Sequence, residues 1–328
     1  MKASIIGTGF GQRVAAEIYR KTGIEVVEIA SPRDNEAVKR ACAAPVDFVS
    51  IHSPPFMHRD HVMLALENGR DIVCDKPFGK SAAEAREMLD AAEAAGVIHL
   101  LNFEFRQEEQ RKQAKVLIDD GAIGEVHHVA WSAFLAGSRV PMRRYGWLWN
   151  RDLGGGWIGA FGSHAIDAMR WLVGEIETAS GTCRTELPYR PDANGVDQLC
   201  TAEDAFTACF TFANGATATL DTSFAASVTR MPVIQIFGSE GALILTGSNK
   251  LELKRTDKAD QEFDYPVWQG DQHEPAFSNW SYLIQEAIRE RKQIAPSFRD
   301  GYACAIVMDK IRDNAVWLSP QAEKVAAQ

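Results

Sequence analysis

The chain has 328 residues, of which 46% are hydrophobic, and a formal net charge of −9. This length allows two domains with substantial buried cores, and the acidic balance argues against nucleic acid or an anionic membrane surface as partner. The six cysteines show neither CxxC spacing nor a disulfide-dense pattern, so we expect reduced thiols and predict no metal site. No apolar run is long enough to span a bilayer and the first strand begins almost at Met1, which predicts a cytoplasmic protein without a leader.

A glycine-rich turn follows the first predicted strand. The apolar run 2–6 leads directly into Gly7, Thr8, Gly9, Phe10 and Gly11. Residues 13–19 then continue with helical spacing. Glycines in such a turn let backbone N–H groups approach a pyrophosphate at the positive end of a helix. We therefore predict a dinucleotide-binding turn, although Gln12 stands where a third glycine is expected.

Strands and helices alternate through the first third of the chain. The predicted strands are 2–6, 24–30, 46–51, 71–74 and 97–101. The helix predicted over 81–95 begins with Ser81 as its cap and has Glu84 three residues later, the spacing of a capping box. This rhythm is typical of a doubly wound parallel sheet, and we predict an α/β Rossmann domain over 1–120.

After about residue 121, long alternating runs replace this rhythm. Asn214-Gly215 separates two alternating stretches within 205–221, which is the strongest short-range signal of a hairpin. A second antiparallel pair is predicted at 233–237 and 242–245. We therefore predict an α+β domain with a mostly antiparallel sheet over 121–328.

The end of the second predicted strand bears on the choice of cofactor. NAD-binding folds usually place an acid there for the ribose hydroxyls, whereas this chain has Ser31 and Arg33. A hydroxyl and a guanidinium suit a 2′-phosphate, which favours NADP. NAD remains the alternative, because Glu28 lies nearby and would face the site after a shift in register.

Ligands of open α/β sheets bind beyond the carboxyl ends of the strands. That rule places 52–55, which includes Ser53, in one cleft with the glycine turn and with the Asp75-Lys76-Pro77 segment. A lysine at this edge can hydrogen-bond a substrate oxygen and stabilise an alkoxide as hydride leaves the same carbon. Most lysines are simply solvated, and Lys76 taken alone favours that interpretation.

A triple glycine at 154–156 leads into a third segment, which carries candidate catalytic residues. Ser163 is predicted to cap a helix with one apolar face, which Gly174 closes. His164 then lies in the first turn, where the helix dipole keeps the ring neutral as a base. Asp167 lies one turn later on the same face. A purely structural histidine is the competing interpretation.

Two further residues are candidate substrate contacts. Trp149 lies in a loop rich in arginine and aromatic residues, which can stack on a sugar or bind an anion. The same loop can equally anchor its tryptophans in the core. Arg106 completes the predicted substrate-binding set.

Taken together, these segments resemble the Gfo/Idh/MocA family. The motifs that carry the resemblance are 7–11, Ser53-Pro54-Pro55 followed by His58, Asp75-Lys76-Pro77 as a variant of the family's Glu-Lys-Pro, 123–125, the triple glycine, 162–167 and 237–241. They occur in order along nearly the whole chain. Several spaced motifs are far more specific than any one of them.

The resemblance implies a Rossmann domain followed by a domain with a large open sheet, often used for homodimer or homotetramer contacts. It implies NAD(P)-dependent oxidation or reduction of a sugar, polyol or cyclitol. By motif, Lys76 and His164 match the catalytic pair and Asp167 matches a ligand of a substrate hydroxyl. Ser53, His58 and Asp75 fall in the cofactor-binding motifs, and the family's Lys-Pro peptide is often cis.

One departure from the family pattern leaves two alternatives open. Family dehydrogenases commonly carry an aspartate four residues before the histidine, where this chain has Ala160. Without that carboxylate, the histidine loses a partner that orients it. Glu104 and Asp167 are the candidate replacements, and the sequence alone places neither at the ring. The alternatives are an enzyme that keeps its cofactor bound and cleaves glycosides by transient oxidation, and a dinucleotide-binding regulator whose catalysis has lapsed.

Overall fold

A computed structural model describes residues 1–318, which fall into two compact units. The first unit comprises Met1–Glu108 and Trp268–Ile306, and the second comprises Glu109–Val267 and, among the described residues, 307–318. The predicted division into 1–120 and 121–328 differs from these units because it follows the chain continuously. The segment Trp268–Ile306 instead returns to the first unit, where its helix packs into the core described below.

The helices of the described part are α1 (Ala16–Lys21), α2 (Asn35–Ala43), α3 (Pro55–Glu67), α4 (Ala82–Ala95), α5 (Glu109–Asp119), α6 (Ser163–Val173), α7 (Glu274–Glu290) and α8 (Phe298–Asn314). The strands are β1 (Lys2–Ile6), β2 (Glu25–Ala30), β3 (Phe48–Ile51), β4 (Asp71–Cys74), β5 (His99–Leu101), β6 (Val126–Phe134), β7 (Ile176–Arg184), β8 (Tyr189–Pro191), β9 (Asp197–Leu199), β10 (Ala205–Phe212), β11 (Thr217–Ser223), β12 (Val233–Gly238), β13 (Gly241–Thr246), β14 (Lys250–Arg255), β15 (Gln261–Asp264) and β16 (Ala315–Leu318). Within residues 1–318, no helix is both long enough and apolar enough to cross a membrane.

The first unit is built on a parallel sheet with the strand order β2-β1-β3-β4-β5. Helices connect successive strands, as right-handed crossovers of parallel strands require. The order reverses between β1 and β3, and the crevice beyond their carboxyl ends is where doubly wound sheets bind ligands. The predicted Rossmann sheet is therefore confirmed, and its switch point lies beside the glycine turn.

Helix α7 belongs to the core of this first unit. Phe277 and Trp280 are fully buried together with Tyr19 of α1 and Phe48 of β3. The rings of Tyr19 and Phe277 meet edge to face with centroids 5.6 Å apart. Burying such large aromatic side chains contributes several kcal/mol, by roughly 25 cal/mol per Å² of apolar surface, which explains why a distant segment joins this unit.

The second unit contains a large sheet, ordered β15-β14-β13-β12-β6-β11-β10-β7-β16 in the described residues. Most neighbours are antiparallel, and the β11–β6 and β16–β7 pairs are parallel. The predicted hairpin at Asn214-Gly215 joins β10 to β11, and the second predicted pair forms β12 and β13. Both hairpin predictions are confirmed, as is the mostly antiparallel second sheet.

Candidate functional site

The glycine turn after β1 is shaped by close contact with His52, at the end of β3. Gly7 has a φ of 149°, and a Cβ there would lie 2.7 Å from the carbonyl oxygen of His52. A Cβ on Gly11 would lie 3.0 Å from the Cβ of His52. Thr8 and Gly9 are exposed, and the space beside Gly9 is open. The turn therefore packs tightly against His52 at Gly7 and Gly11 and is open at Thr8 and Gly9, as a phosphate cradle is.

A chain of hydrogen bonds runs from the interior of the first unit to the end of β4. Tyr19 Oη lies 2.9 Å from Ser50 Oγ, which lies 2.8 Å from His52 Nε2. His52 Nδ1 lies 3.0 Å from Asp75 Oδ2. The other oxygen of Asp75 accepts a hydrogen bond of 2.9 Å from the backbone N–H of Lys76. Each polar side chain in this hydrogen-bonded series therefore has a hydrogen-bond partner inside the protein.

The protonation states follow from the surroundings. Burial by itself would raise the pKa of Asp75, but the hydrogen bond from His52 and the nearby charge of Lys76 outweigh it, so the pKa lies below its usual value. Burial raises the pKa of Tyr19, which keeps the phenol protonated. An ionised Asp75 requires His52 to donate from Nδ1. The donors then run in one direction from Tyr19 to Asp75.

The sequence of hydroxyl, imidazole and carboxylate in Ser50, His52 and Asp75 is also that of hydrolase triads. Ser50 is fully buried in this structure. Its Oγ already bonds Tyr19 and His52, so an acyl group has no path to it. The arrangement is a supporting hydrogen-bond chain rather than a nucleophilic site.

Lys76 directly follows Asp75, the last residue of this hydrogen-bonded series. The Lys76–Pro77 peptide is cis, as the family resemblance implied. Phe10 of the glycine turn lies 5.6 Å from the ring of His52 by centroid distance. The structure thus brings together the glycine turn and the Asp75-Lys76 segment, with His52 in contact with both.

A second histidine at this edge was missed by sequence reasoning. His273 immediately precedes α7, and its Nδ1 lies 2.7 Å from Oε1 of the buried Glu104. Its ring meets Phe10 edge to face at 4.9 Å and stacks with Phe105 at 5.1 Å. The sequence contained no signal for this pairing, because 169 residues separate the partners.

The ends of β2 and β3 hold the other predicted cofactor residues. Ser31 is half-buried and Arg33 is exposed in the loop between β2 and α2. Glu28, the alternative ribose ligand, instead lies 3.6 Å from the guanidinium of Arg40 on α2. The loop therefore presents a hydroxyl and a cation, while the nearby carboxylate is engaged with Arg40.

Ser53 and His58 anchor the backbone between β3 and α3. Ser53 Oγ lies 2.9 Å from Nδ1 of His61, and burial lowers the pKa of His61 to about 4. The fully buried His58 lies between the carbonyl oxygens of Phe78 and Ser53, at 3.0 and 2.7 Å. Burial also lowers the pKa of His58. His58 thereby joins the segment after β4 to the segment after β3.

In the second unit, the helix that carries His164 begins earlier than predicted. One turn of π-helix covers Ile158–Gly162 and continues into α6 without a break. Ser163 does not cap the helix, because its hydroxyl donates back to the carbonyl of Gly159 at 2.6 Å. The N–H of Ile158 instead donates to Oε1 of Glu203 at 2.9 Å. His164 is therefore more than one turn inside the helical segment, and the predicted effect of the helix dipole on it is weakened.

His164 and Asp167 share α6 and are both buried. They lie three residues apart, which places them on neighbouring positions of one helix face, as predicted. Glu203, which supports the start of this helical segment, is completely buried, and burial raises its pKa. A glutamate that caps a helix 45 residues earlier in the chain leaves no local pattern in the sequence.

The two other predicted substrate residues lie in structural settings. Trp149 is buried, donates from Nε1 to the carbonyl of Arg144 at 3.0 Å, and carries the guanidinium of Arg190 3.6 Å above its ring. Arg106 is also buried and lies 2.8 Å from Oδ1 of Asp300. For Trp149, these contacts match the core-anchor interpretation that the sequence had left open.

Comparison with known proteins bears on both units. A profile of the oxidoreductase family with an NAD-binding Rossmann fold matches residues 1–103, and the GFO/IDH/MocA C-terminal domain matches 111–244. Levoglucosan dehydrogenase of Pseudarthrobacter phenanthrenivorans is 27% identical over 304 residues, covering 82% of this chain and 78% of the relative. D-glucoside 3-dehydrogenase of Escherichia coli is 25% identical over 261 residues, covering 72% of this chain and 74% of the relative.

A solved structure shares the fold along nearly the whole chain. Levoglucosan dehydrogenase in complex with NADH and levoglucosan superposes with a TM-score of 0.85 at 22% identity, covering 96% of both chains. The two profiles match in the order that the motifs predicted. The chain therefore belongs to the Gfo/Idh/MocA family and is an NAD-binding oxidoreductase.

Proposed function

We propose that this protein transfers hydride between a nicotinamide dinucleotide and a secondary alcohol or carbonyl of a sugar, polyol or cyclitol. The observation that carries the proposal is the position of His52, which contacts Phe10 of the glycine turn and bonds Asp75 beside Lys76. A cofactor cradle and a cationic side chain thus lie at one edge of the parallel sheet. Hydride transfer needs both at the same place.

The residues at this edge fit a dinucleotide. The exposed backbone at Thr8 and Gly9, with open space beside it, suits a pyrophosphate, and Gly7, Phe10 and Gly11 complete the turn. Ser53 and Asp75 line the same edge of the sheet, whereas the buried His58 supports it from within. When bound, the nicotinamide supplies the acceptor or donor of hydride.

For the adenosine end we propose NADP as the preferred cofactor, with NAD as the alternative. Ser31 and the exposed Arg33 suit a 2′-phosphate, and the nearby Glu28 lies 3.6 Å from the guanidinium of Arg40, which offsets its charge. The NAD alternative is supported by the family description as NAD-binding and by the NADH complex of levoglucosan dehydrogenase.

The chemical roles follow the family motifs. In oxidation, His164 takes the proton of the substrate hydroxyl, and the Lys76 ammonium stabilises the negative charge that develops on oxygen. Asp167, one turn after His164, holds a neighbouring hydroxyl. Reduction of a ketone or aldehyde reverses the proton transfer. For Arg106 and Trp149 we propose a supporting structural role, because both are buried in contacts of their own.

The names of the relatives favour sugars and sugar derivatives as the first substrates to test. They include dehydrogenases of levoglucosan, D-apiose and a D-glucoside. We also propose a homodimer or homotetramer, since one face of the large sheet is exposed at Cys209, Thr211, Thr217 and Thr219. Light scattering after size exclusion measures the assembly directly.

The test is nicotinamide absorbance with NADP or NAD across levoglucosan, apiose, alkyl glucosides, aldoses, ketoses and inositols. Turnover on any of them supports the proposal and identifies the cofactor. Release of an aglycone without net formation of reduced cofactor would indicate the glycosidase alternative. Tight cofactor binding with no turnover on the whole panel would overturn the proposal and favour the regulator alternative, for which Ala160 is the supporting feature.

A further inference from the structure

We propose that His52 is a positioning residue for Lys76, acting through Asp75, and that this single side chain joins the cofactor turn to the lysine. The inference rests on the proposed function, in which Lys76 contacts the substrate oxygen. The Nδ1–H of His52 orients the carboxylate of Asp75, and this carboxylate in turn holds the backbone N–H of Lys76.

The carboxylate of Asp75 is held from two sides. His52 donates to Oδ2 at 3.0 Å, and the backbone N–H of Lys76 donates to Oδ1 at 2.9 Å. The His52 side chain is 0% exposed and that of Asp75 is 16% exposed. With both oxygens engaged in a nearly dry setting, the carboxylate has one orientation, and the backbone of Lys76 is tied to it.

The sheet register places the two partners together. Ile51 of β3 pairs with Cys74 of β4, so His52 and Asp75 are the next residues along two neighbouring parallel strands. The N–H of Asp75 donates to the carbonyl of Ile51 at 2.9 Å, which continues the ladder to this position. The pair is therefore fixed by backbone that belongs to the rigid part of the unit, as precise positioning requires.

The opposite side of His52 supports the cofactor turn. Its Cβ and carbonyl oxygen lie where side chains on Gly11 and Gly7 would otherwise be, at 3.0 and 2.7 Å. The Nε2 atom faces Ser50 at 2.8 Å, and the ring also lies 5.6 Å from that of Phe10 by centroid distance. The backbone and Cβ of His52, which asparagine and glutamine retain, thus serve the turn, whereas its Nδ1–H serves Lys76. Both substitutions lose the ring, so the comparison between them isolates the contribution of the Nδ1–H.

The substitutions His52→Asn and His52→Gln separate the contribution of the Nδ1–H from the rest of the side chain. The amide introduced by His52→Asn reaches the place of Nδ1 and keeps a donor to Asp75, whereas the amide introduced by His52→Gln reaches the place of Nε2 and loses that donor. We expect His52→Gln to lower kcat about 10- to 100-fold and His52→Asn to stay within about threefold of the unmodified protein. The Kd for the reduced cofactor, measured by its fluorescence, stays within about threefold in both variants.

A second readout needs no turnover. Amide hydrogen exchange of the peptide containing Lys76 reports the bond to Asp75, and Pro77 adds no amide of its own to the signal. We expect exchange at Lys76 at least about tenfold faster in His52→Gln and near the original rate in His52→Asn. Asp75→Asn, which keeps the shape and removes the charge, should resemble His52→Gln in both readouts.

The outcomes separate this inference from the proposed function. If the unmodified protein oxidises no sugar, the proposed function fails, and amide exchange in the same variants still decides whether His52 holds the Lys76 backbone. Equal losses of kcat in His52→Gln and His52→Asn, unchanged kcat in both, or unchanged exchange at Lys76 would overturn the inference. A kcat lost in His52→Gln and kept in His52→Asn, with matching exchange rates, supports it.

Discussion

His273 Nδ1 lies 2.7 Å from Glu104 Oε1, which joins the start of α7 to the segment that follows β5. Burial alone would lower the pKa of His273, but the hydrogen bond and charge of Glu104 outweigh both burial and the opposing charge of Lys76, so the pKa is raised. This pair lies against Phe10 of the glycine turn. It therefore fastens a segment from late in the chain to the cofactor edge.

The pair predicts a specific pH dependence of stability. A raised folded-state pKa of His273 adds stability that is fully present below the unfolded pKa and is lost as the pH rises through the folded pKa. Glu104→Gln should therefore cost about 2 kcal/mol near pH 6, and less as the pH rises towards about 9. Urea unfolding across this range measures it. His273→Gln should show the same trend, and a cost that does not change with pH would contradict the charged pair.

Two glycines of the turn should respond differently to alanine. Gly9→Ala meets no neighbour within 4 Å, so the free energy of unfolding should change by less than about 1 kcal/mol. Cofactor affinity should nevertheless fall at least about tenfold, because the backbone of a phosphate cradle must approach the pyrophosphate. In Gly7→Ala, the added Cβ lies 2.7 Å from the carbonyl oxygen of His52, and alanine must adopt a φ of 149°. The free energy of unfolding should therefore fall by about 2 kcal/mol or more. Unchanged cofactor binding in Gly9→Ala would place the pyrophosphate elsewhere.

Lys76→Ala should lower kcat by about 10² to 10⁴ and change the cofactor Kd by less than about threefold. The reason is that the ammonium acts on charge that develops only during the reaction. Lys80→Ala is the matched control, because Lys80 is an exposed lysine four residues later that pairs with Glu84 at 3.9 Å. Steady-state kinetics and fluorescence titration supply the two numbers. Equal turnover in Lys76→Ala would remove this lysine from the mechanism.

Arg33→Asp should move the cofactor preference from NADP towards NAD by about tenfold or more in the ratio of the two dissociation constants. The new carboxylate repels a 2′-phosphate and accepts hydrogen bonds from a ribose hydroxyl. Arg20→Asp on α1, which makes the same charge change at an exposed arginine paired with Glu17, controls for net charge. A ratio that does not move in Arg33→Asp would show that the phosphate binds elsewhere.

The buried Glu203 predicts the same direction of pH dependence as the histidine pair, in a more acidic range. Burial raises the pKa of Glu203, so the folded state favours the protonated acid, and its stability contribution is lost as the pH rises above the unfolded pKa of about 4.3. Glu203→Gln should therefore gain stability relative to the unmodified protein between about pH 4.5 and about pH 7. Chemical unfolding at several pH values measures this, with the exposed Glu240→Gln as control. A relative loss for Glu203→Gln as the pH rises would instead indicate an ionised, paired carboxylate.

Local patterns were sufficient for much of the fold. Alternation on either side of Asn214-Gly215 predicted β10 and β11, and the apolar run before Gly7 predicted β1. Ser81 caps α4 as predicted, accepting from the N–H of Glu84 at 3.3 Å. Such features depend on neighbours within a few residues, which a single sequence displays directly.

The sequence alone did not predict the side-chain pairs between residues far apart in the chain. The bonds of His52 with Asp75 and of His273 with Glu104 depend on strand register and on the return of Trp268–Ile306 to the first unit. Ser163 was expected to cap α6 because a hydroxyl before an apolar helix usually does so. The π-turn before it moved the start of the helix to Ile158, where Glu203 supplies the cap.

In the proposed reaction, hydride leaves a substrate carbon that bears a hydroxyl group. The most direct measurement is therefore mass spectrometry of the reduced cofactor formed from a sugar deuterated at its hydroxyl-bearing carbons, beginning with levoglucosan and a D-glucoside. We predict that one deuterium appears in the nicotinamide ring, and that it appears about 10² to 10⁴ times more slowly with Lys76→Ala. Complete retention of deuterium in the sugar, with cofactor bound and unreduced, would contradict the account.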